Sequence, residues 1–261
     1  MKIKIFKIKA KSIFTRTKIP GAKWVINQYV GCAHSCLYCY AKFMCQWKPE
    51  SYGKWGSWVE IKINAPELVK EKYVDGWVYM SSVSDPYQPI ERELKLTRKV
   101  LENLDKRIKL SILTKSDLVL RDIDIFKKFK NIEVGLTINS FDGALKKIFE
   151  PFSPPNEKRI KALKILKDNK ITTYTFISPI IPGLIDLKEI IKKTKNFSDF
   201  YWLEFINLKL AGKEFIKVLK ENFPESFEIV KDKEKFTRFI KECLKIVNSE
   251  KISLKGIEIH Q

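Results

Sequence analysis

A chain of 261 residues, 44% hydrophobic and 12% aromatic, has enough material for one large α/β domain and is too apolar to remain disordered. No apolar run reaches the ~18 residues that a membrane helix needs, and the N-terminus alternates Lys with Ile and Phe where a signal segment would be continuously apolar. The expectation is a cytoplasmic protein with no membrane role, and a formal charge of +19 points to a polyanionic partner such as nucleic acid, bound by counterion release. A Lys- and Ile-rich chain can also reflect a thermophilic source with lysines guarding edge strands. Lysine is then usually balanced by glutamate, whereas here 50 basic residues face 31 acidic ones.

In chain order, residues 1–23 read as a basic N-terminal extension whose Lys/Ile alternation over 2–8 suits an exposed edge strand. No acidic residue precedes Glu50, so the segment up to Lys48 is wholly basic. Apolar strand-like runs follow at 24–30, 76–83, 107–113, 132–138, 171–177 and 200–206, with helical patterns at 94–104, 117–130, 157–168 and 187–195 between them. Alternating strands and helices imply parallel βαβ units with right-handed crossovers. The predicted fold class is α/β: a partial (βα)6 TIM-like barrel over 24–210, with a C-terminal extension of helix and strand over 211–261 packed on it. Chemistry in such barrels gathers at the C-terminal strand ends. That draws attention to the polar residues after each run: a cysteine loop, Ser84 with Asp85, Thr114 with Lys115, Asn139 with Ser140, and Ser178 with Pro179.

Three of the five cysteines, Cys32, Cys36 and Cys39, lie within eight residues. Neighbours so close rarely bridge one another, but their sulfurs can reach one metal centre. Three ligands leave a coordination position open for a substrate or cofactor. His34, inside the loop, reads as a solvent-exposed residue or as a support behind the ligands; as a fourth ligand it would instead close a Cys3His zinc site, and the chain would then be a non-enzymatic, basic nucleic-acid-binding protein. With His260 as the other histidine, histidine-based acid–base chemistry has little to work with. Cys243 falls in an amphipathic stretch and reads as buried and inert. Cys45 is either a hydrogen-atom donor to a carbon radical or a small packing residue. Trp47, Trp55 and Trp58 with Tyr52 alternate with Lys48 and Lys54. They either stack the bases of a single strand or cover the rim of the barrel.

The cysteine spacing, with Tyr38 directly before Cys39 and Tyr40 directly after, resembles that of the radical S-adenosylmethionine enzymes. Within that superfamily the chain looks like the branch of spore photoproduct lyase and the "DNA repair photolyase" proteins. The resemblance runs through NQYVGCAHSCLYCY (27–40), SSVSDPYQPIE (81–91), TKSD (114–117) and IIPGL (180–184), collinear over about 24–210. It implies a [4Fe–4S] cluster on Cys32, Cys36 and Cys39, with S-adenosylmethionine chelated to the unique iron. Reductive cleavage to a 5′-deoxyadenosyl radical would abstract hydrogen from a substrate, in repair or modification. An electron donor such as flavodoxin or ferredoxin is implied as a partner. By matched position, Ser84 would face the methionine end of the cofactor and Lys115 its carboxylate. Thr137 and Asn139 would meet the ribose, and Ser178 and Tyr38 would border the adenine. The resemblance breaks where spore photoproduct lyase has a hydrogen-donating cysteine near the second strand, since this chain reads Ser81-Ser82-Val83-Ser84. Thymine-dimer reversal is therefore not implied. A protein or small-metabolite substrate for the same radical chemistry is the remaining alternative.

Overall fold

The computed structural model describes residues 3–259; Lys2 of the expected edge strand and His260 lie outside them. The strands are β1 (Lys4–Ile8), β2 (Phe14–Arg16), β3 (Trp24–Ile26), β4 (Tyr29–Val30), β5 (Trp58–Lys62), β6 (Trp77–Met80), β7 (Lys109–Thr114), β8 (Asn131–Ile138), β9 (Thr172–Ile180), β10 (Phe200–Phe205) and β11 (Leu254–Glu258). Eight form one sheet in the order β11-β10-β9-β8-β7-β6-β3-β2. Every neighbouring pair is parallel except β2 with β3.

Parallel neighbours need crossovers, and helices Leu96–Asn103, Ile123–Phe126, Asn156–Asp168 and Leu187–Thr194 supply them. Their apolar faces cover the sheet. Val100, Phe126, Leu163 and Ile190 are fully buried against Val78, Leu110, Val134 and Ile177 in one core, each worth about 1.5–3 kcal/mol in removed apolar surface. Among the described residues no pairing closes the sheet into a barrel. It is nevertheless curled. Lys255 Nζ on β11 lies 5.2 Å from the Trp77 ring centroid on β6, across four intervening strands.

The expected first strand, 24–30, is broken into β3 in the main sheet and β4 in a separate sheet of order β1-β5-β4. Its break is polar: Asn27 accepts from Ser82 N at 2.7 Å, and Gln28 Nε2 donates to Thr97 Oγ1 at 2.9 Å. These bonds turn the chain out of the main sheet. β1 is an edge strand, though of the small sheet and parallel to β5. The expected helix at 117–130 is a 3-10 segment, Asp117–Asp122, followed by the single turn Ile123–Phe126. Asp122 is buried there between Arg98 and Arg121, and satisfying that carboxylate overrides regular helix. The C-terminal segment supplies helices Leu208–Asn222, Pro224–Lys231 and Lys233–Glu250, then places β11 beside β10 in the main sheet. No helix among the described residues is long and apolar enough to cross a membrane.

Candidate active site

The chain leaves β4 through Gly31, whose φ of +86° lies in the left-handed region. A Cβ there would fall 2.6 Å from the Trp58 carbonyl oxygen, so both backbone conformation and close approach demand glycine. The following loop is tied to the segment after β6. Ala33 N donates to Gln88 Oε1 at 2.8 Å, Gln88 Nε2 donates to Ser84 Oγ at 2.8 Å, and Ser84 Oγ donates to the Gly31 carbonyl at 2.6 Å. Leu37 N donates to the Phe149 carbonyl at 2.9 Å and fixes the loop's far side. Cys32 and Cys36 are buried and Cys39 half-buried.

One cavity at the C-terminal ends of the parallel strands is lined by Cys32, Cys36 and Cys39, together with Tyr38, Ser84, Lys115, Thr137 and Ser178. Two site residues expected from sequence do not line it. Asn139 lies behind Tyr38, where its Nδ2 donates to Glu150 Oε1 at 2.8 Å and its Oδ1 accepts from Asn156 at 3.0 Å. Cys45 packs beside Trp55 and Trp58 in the small apolar cluster under the loop.

The electrostatics follow from burial. Burial raises the Cys36 thiol to about 12 against the opposing charge of Lys115. Cys32 is raised by burial and then by Asp85, and Cys39 by burial. Burial pulls Lys115 down, but Cys36 and Glu150 outweigh it and its pKa rises. It stays a cation. Its ammonium lies 5.7 Å from the Tyr38 ring centroid and takes part in none of the ion pairs among the described residues. Asp85 holds the neighbouring backbone in place, accepting from Thr114 Oγ1 at 2.6 Å and Lys115 N at 2.8 Å. Burial alone would raise this carboxyl, but His34 and these hydrogen bonds bring it to about 2.

Several residues of the site were not singled out in the sequence. Glu150, buried behind the cavity, accepts from the Tyr38 hydroxyl and pairs with Arg159. Arg159 is itself wholly buried and donates to the Thr137 carbonyl at 2.9 Å. Burial opposes ionisation of Glu150, yet Arg159 and Lys115 lower it to about 2. On β10, Glu204 lines the cavity and accepts from Ser178 Oγ at 2.5 Å. The available sequence signals are a single acid inside the apolar run of β10 and a lone acid between Phe149 and Pro151.

His34 does not join the cysteines. Its Nδ1 lies 3.4 Å from the Phe152 carbonyl and its Nε2 3.5 Å from Asp85. Among the described residues no group of three or more His, Cys, Asp or Glu side chains is gathered so as to hold one metal ion.

A parallel α/β sheet with three cysteines and a half-buried lysine at the mouth formed by its strand ends defines an enzyme-like cofactor site. The model of the Radical SAM superfamily matches residues 26–194, and the chain belongs to that superfamily. It is 60% identical over 259 residues to an uncharacterized protein of Methanocaldococcus jannaschii, covering 99% of both chains. It is 28% identical over 173 residues to an uncharacterized protein of Acidianus two-tailed virus, covering 61% of this chain and 56% of that one. Among solved structures, spore photoproduct lyase complexed with dinucleoside spore photoproduct superposes with a TM-score of 0.68 at 14% identity, covering 98% of this chain and 82% of that one. Streptococcus suis SuiB bound to S-adenosylmethionine gives 0.50 at 15% identity, over 90% and 50% of the two chains. At such identities the likeness is one of fold.

Proposed function

We propose that this chain is a radical S-adenosylmethionine enzyme of the cytoplasm that holds a [4Fe–4S] cluster on Cys32, Cys36 and Cys39 and acts on nucleic acid. The observation that carries the reading is the convergence of those cysteines with Lys115 and Ser178 on one cavity. The curl of the sheet supports a part-barrel, since the ends of β10 and the loop after β4 line the same cavity.

The donor set fits a cluster. His34, which would complete a Cys3His zinc site, faces the Phe152 carbonyl and Asp85 instead. A cluster spreads its thiolates over several irons, and the three thiols of Cys32, Cys36 and Cys39 line one cavity. When bound, cluster and S-adenosylmethionine supply one-electron cleavage of the sulfonium to a 5′-deoxyadenosyl radical, which takes hydrogen from substrate.

The chain's own residues bind and orient. Lys115 presents a fixed positive charge to the cofactor carboxylate, and Ser84 borders the methionine end with its hydroxyl shared between Gly31 and Gln88. Thr137, Ser178 and Glu204 offer polar groups for the nucleoside portion, and Tyr38 walls it off from the Glu150–Arg159 pair. Asn139, outside the cavity, supports Tyr38 through Glu150. A one-electron donor of the flavodoxin or ferredoxin kind would feed the site.

Anaerobic purification tests the reading. The expected protein is brown, carries about four irons and four sulfides per chain, and releases 5′-deoxyadenosine when reduced with S-adenosylmethionine. Cys36→Ala should lose colour and product together. Colourless protein with stoichiometric zinc would overturn the assignment.

A further inference from the structure

We infer that the short helix Tyr40–Trp47, which begins directly after Cys39, is a stacking platform for single-stranded nucleic acid at the lip of the cavity. Tyr40, Phe43 and Trp47 are 41%, 40% and 63% exposed. They form a contiguous ladder, with ring centroids 6.3 Å apart for Tyr40 and Phe43 and 5.4 Å for Phe43 and Trp47. Three touching aromatic rings left in water signal a surface meant to be covered.

Exposure divides these rings from their neighbours in the sequence. Trp55 and Trp58 are buried, and Tyr52 stacks on Phe6 with centroids 3.8 Å apart and planes 3° apart. Those three belong to the packing under the cysteine loop. The ladder instead runs into the cavity: Tyr40 lines it, anchored by a hydrogen bond from its hydroxyl to the Ser82 carbonyl.

The partner's charge follows from the adjoining helix. Leu208–Asn222 packs against the ladder helix and contributes Leu210, 44% exposed, to the cavity lining. Lys209 and Lys213 are exposed beside it, with Glu214 the acid among them. An exposed aromatic ladder packed against a helix that bears exposed lysines, on a chain of charge +19, matches the bases and phosphates of a single strand. A protein partner would favour an interface centre depleted of lysine. A strand stacked on Trp47 and Phe43 would deliver its next nucleotide past Tyr40 to the cavity, so the inference rests on the proposed radical chemistry only for the direction of delivery.

The test is anisotropy of a fluorescein-labelled oligothymidylate, and of a duplex of equal length, titrated with the iron-loaded protein at several salt concentrations. Trp47→Ala and Phe43→Ala should each weaken single-strand binding on the order of 10-fold or more with the salt slope unchanged. Trp47→Phe should retain most of the affinity. Lys209→Ala and Lys213→Ala should each lower the salt slope by about one. Equal affinity of wild type and both aromatic variants, tighter binding of the duplex, or no binding at all would overturn the inference. Failure of the radical chemistry would show separately, as absence of 5′-deoxyadenosine from reduced wild-type protein.

Discussion

The Tyr38 hydroxyl donates to Glu150, 112 residues away in the chain, and the other carboxylate oxygen of Glu150 takes the Arg159 guanidinium. The residue before the last loop cysteine is thereby tied to a buried ion pair. Asn139 and Ser153 satisfy the remaining lone pairs of the carboxylate at 2.8 and 3.0 Å, and a buried pair with full hydrogen bonding holds its geometry. Glu150→Gln would leave Arg159 buried without a counter-charge. The expected loss is about 3–5 kcal/mol, read from urea unfolding of the apo-protein. A loss below about 1 kcal/mol would show that the pair does not hold this wall.

The same carboxylate sets an acid limit. Glu150 sits at about 2 in the folded chain against an ordinary 4.5, because Arg159 and Lys115 overcome its burial. A lowered folded pKa means the folded state resists taking up the proton. Its contribution is complete above about 4.5 and disappears as pH falls toward 2, and Asp85, also at about 2, adds to that loss below about 4. Stability measured by denaturant between pH 5 and 2 should therefore fall, with a shallower slope in Glu150→Gln. Identical slopes would mean that Glu150 titrates normally.

Much of this site was legible because strand ends announce themselves. Ser84, Lys115, Thr137 and Ser178 lie at or near the C-terminal ends of apolar runs, and parallel pairing brings them to one cavity with the cysteines. Glu150 and Arg159 were not legible, since a glutamate after a helix and one basic residue in a Lys-rich helix look like solvated surface until the fold brings them together. The aromatics after the loop show the same limit. Trp47 and Trp58 are alike in sequence, yet one is 63% exposed and the other wholly buried, and only β5 pairing with β1 and β4 separates them. A strand in the C-terminal extension was expected, but not that β11 joins the main sheet beside β10, because it is mostly half-buried and lacks the apolar run that marks the interior strands.

Asp85 and Lys115 should act as one unit in cofactor binding. Asp85 accepts from Thr114 and from the Lys115 backbone, so it positions the lysine through the main chain. Lys115→Met should weaken S-adenosylmethionine binding to iron-loaded protein on the order of 10- to 100-fold, the worth of one charge-assisted hydrogen bond. Asp85→Ala should weaken it by about 10-fold through misplacement. The double variant should be no worse than Lys115→Met alone. Additive losses in equilibrium dialysis would mean that Asp85 contributes by a separate route.

Gly31 is the hinge on which the cysteine loop leaves β4, and two independent constraints meet there. Its φ of +86° costs a residue with a side chain about 1–3 kcal/mol. A Cβ would in addition meet the Trp58 carbonyl at 2.6 Å and the Trp58 ring at 2.9 Å. Neither can yield easily, because the carbonyl is backbone of β5 and the ring is wholly buried. Relief must come from the loop, whose next residue is Cys32. Gly31→Ala should therefore cost roughly 2 kcal/mol or more in urea unfolding, and should lower the iron retained per chain after anaerobic reconstitution. Wild-type stability together with wild-type iron content would show that the bend at Gly31 is not what sets the cysteines in place.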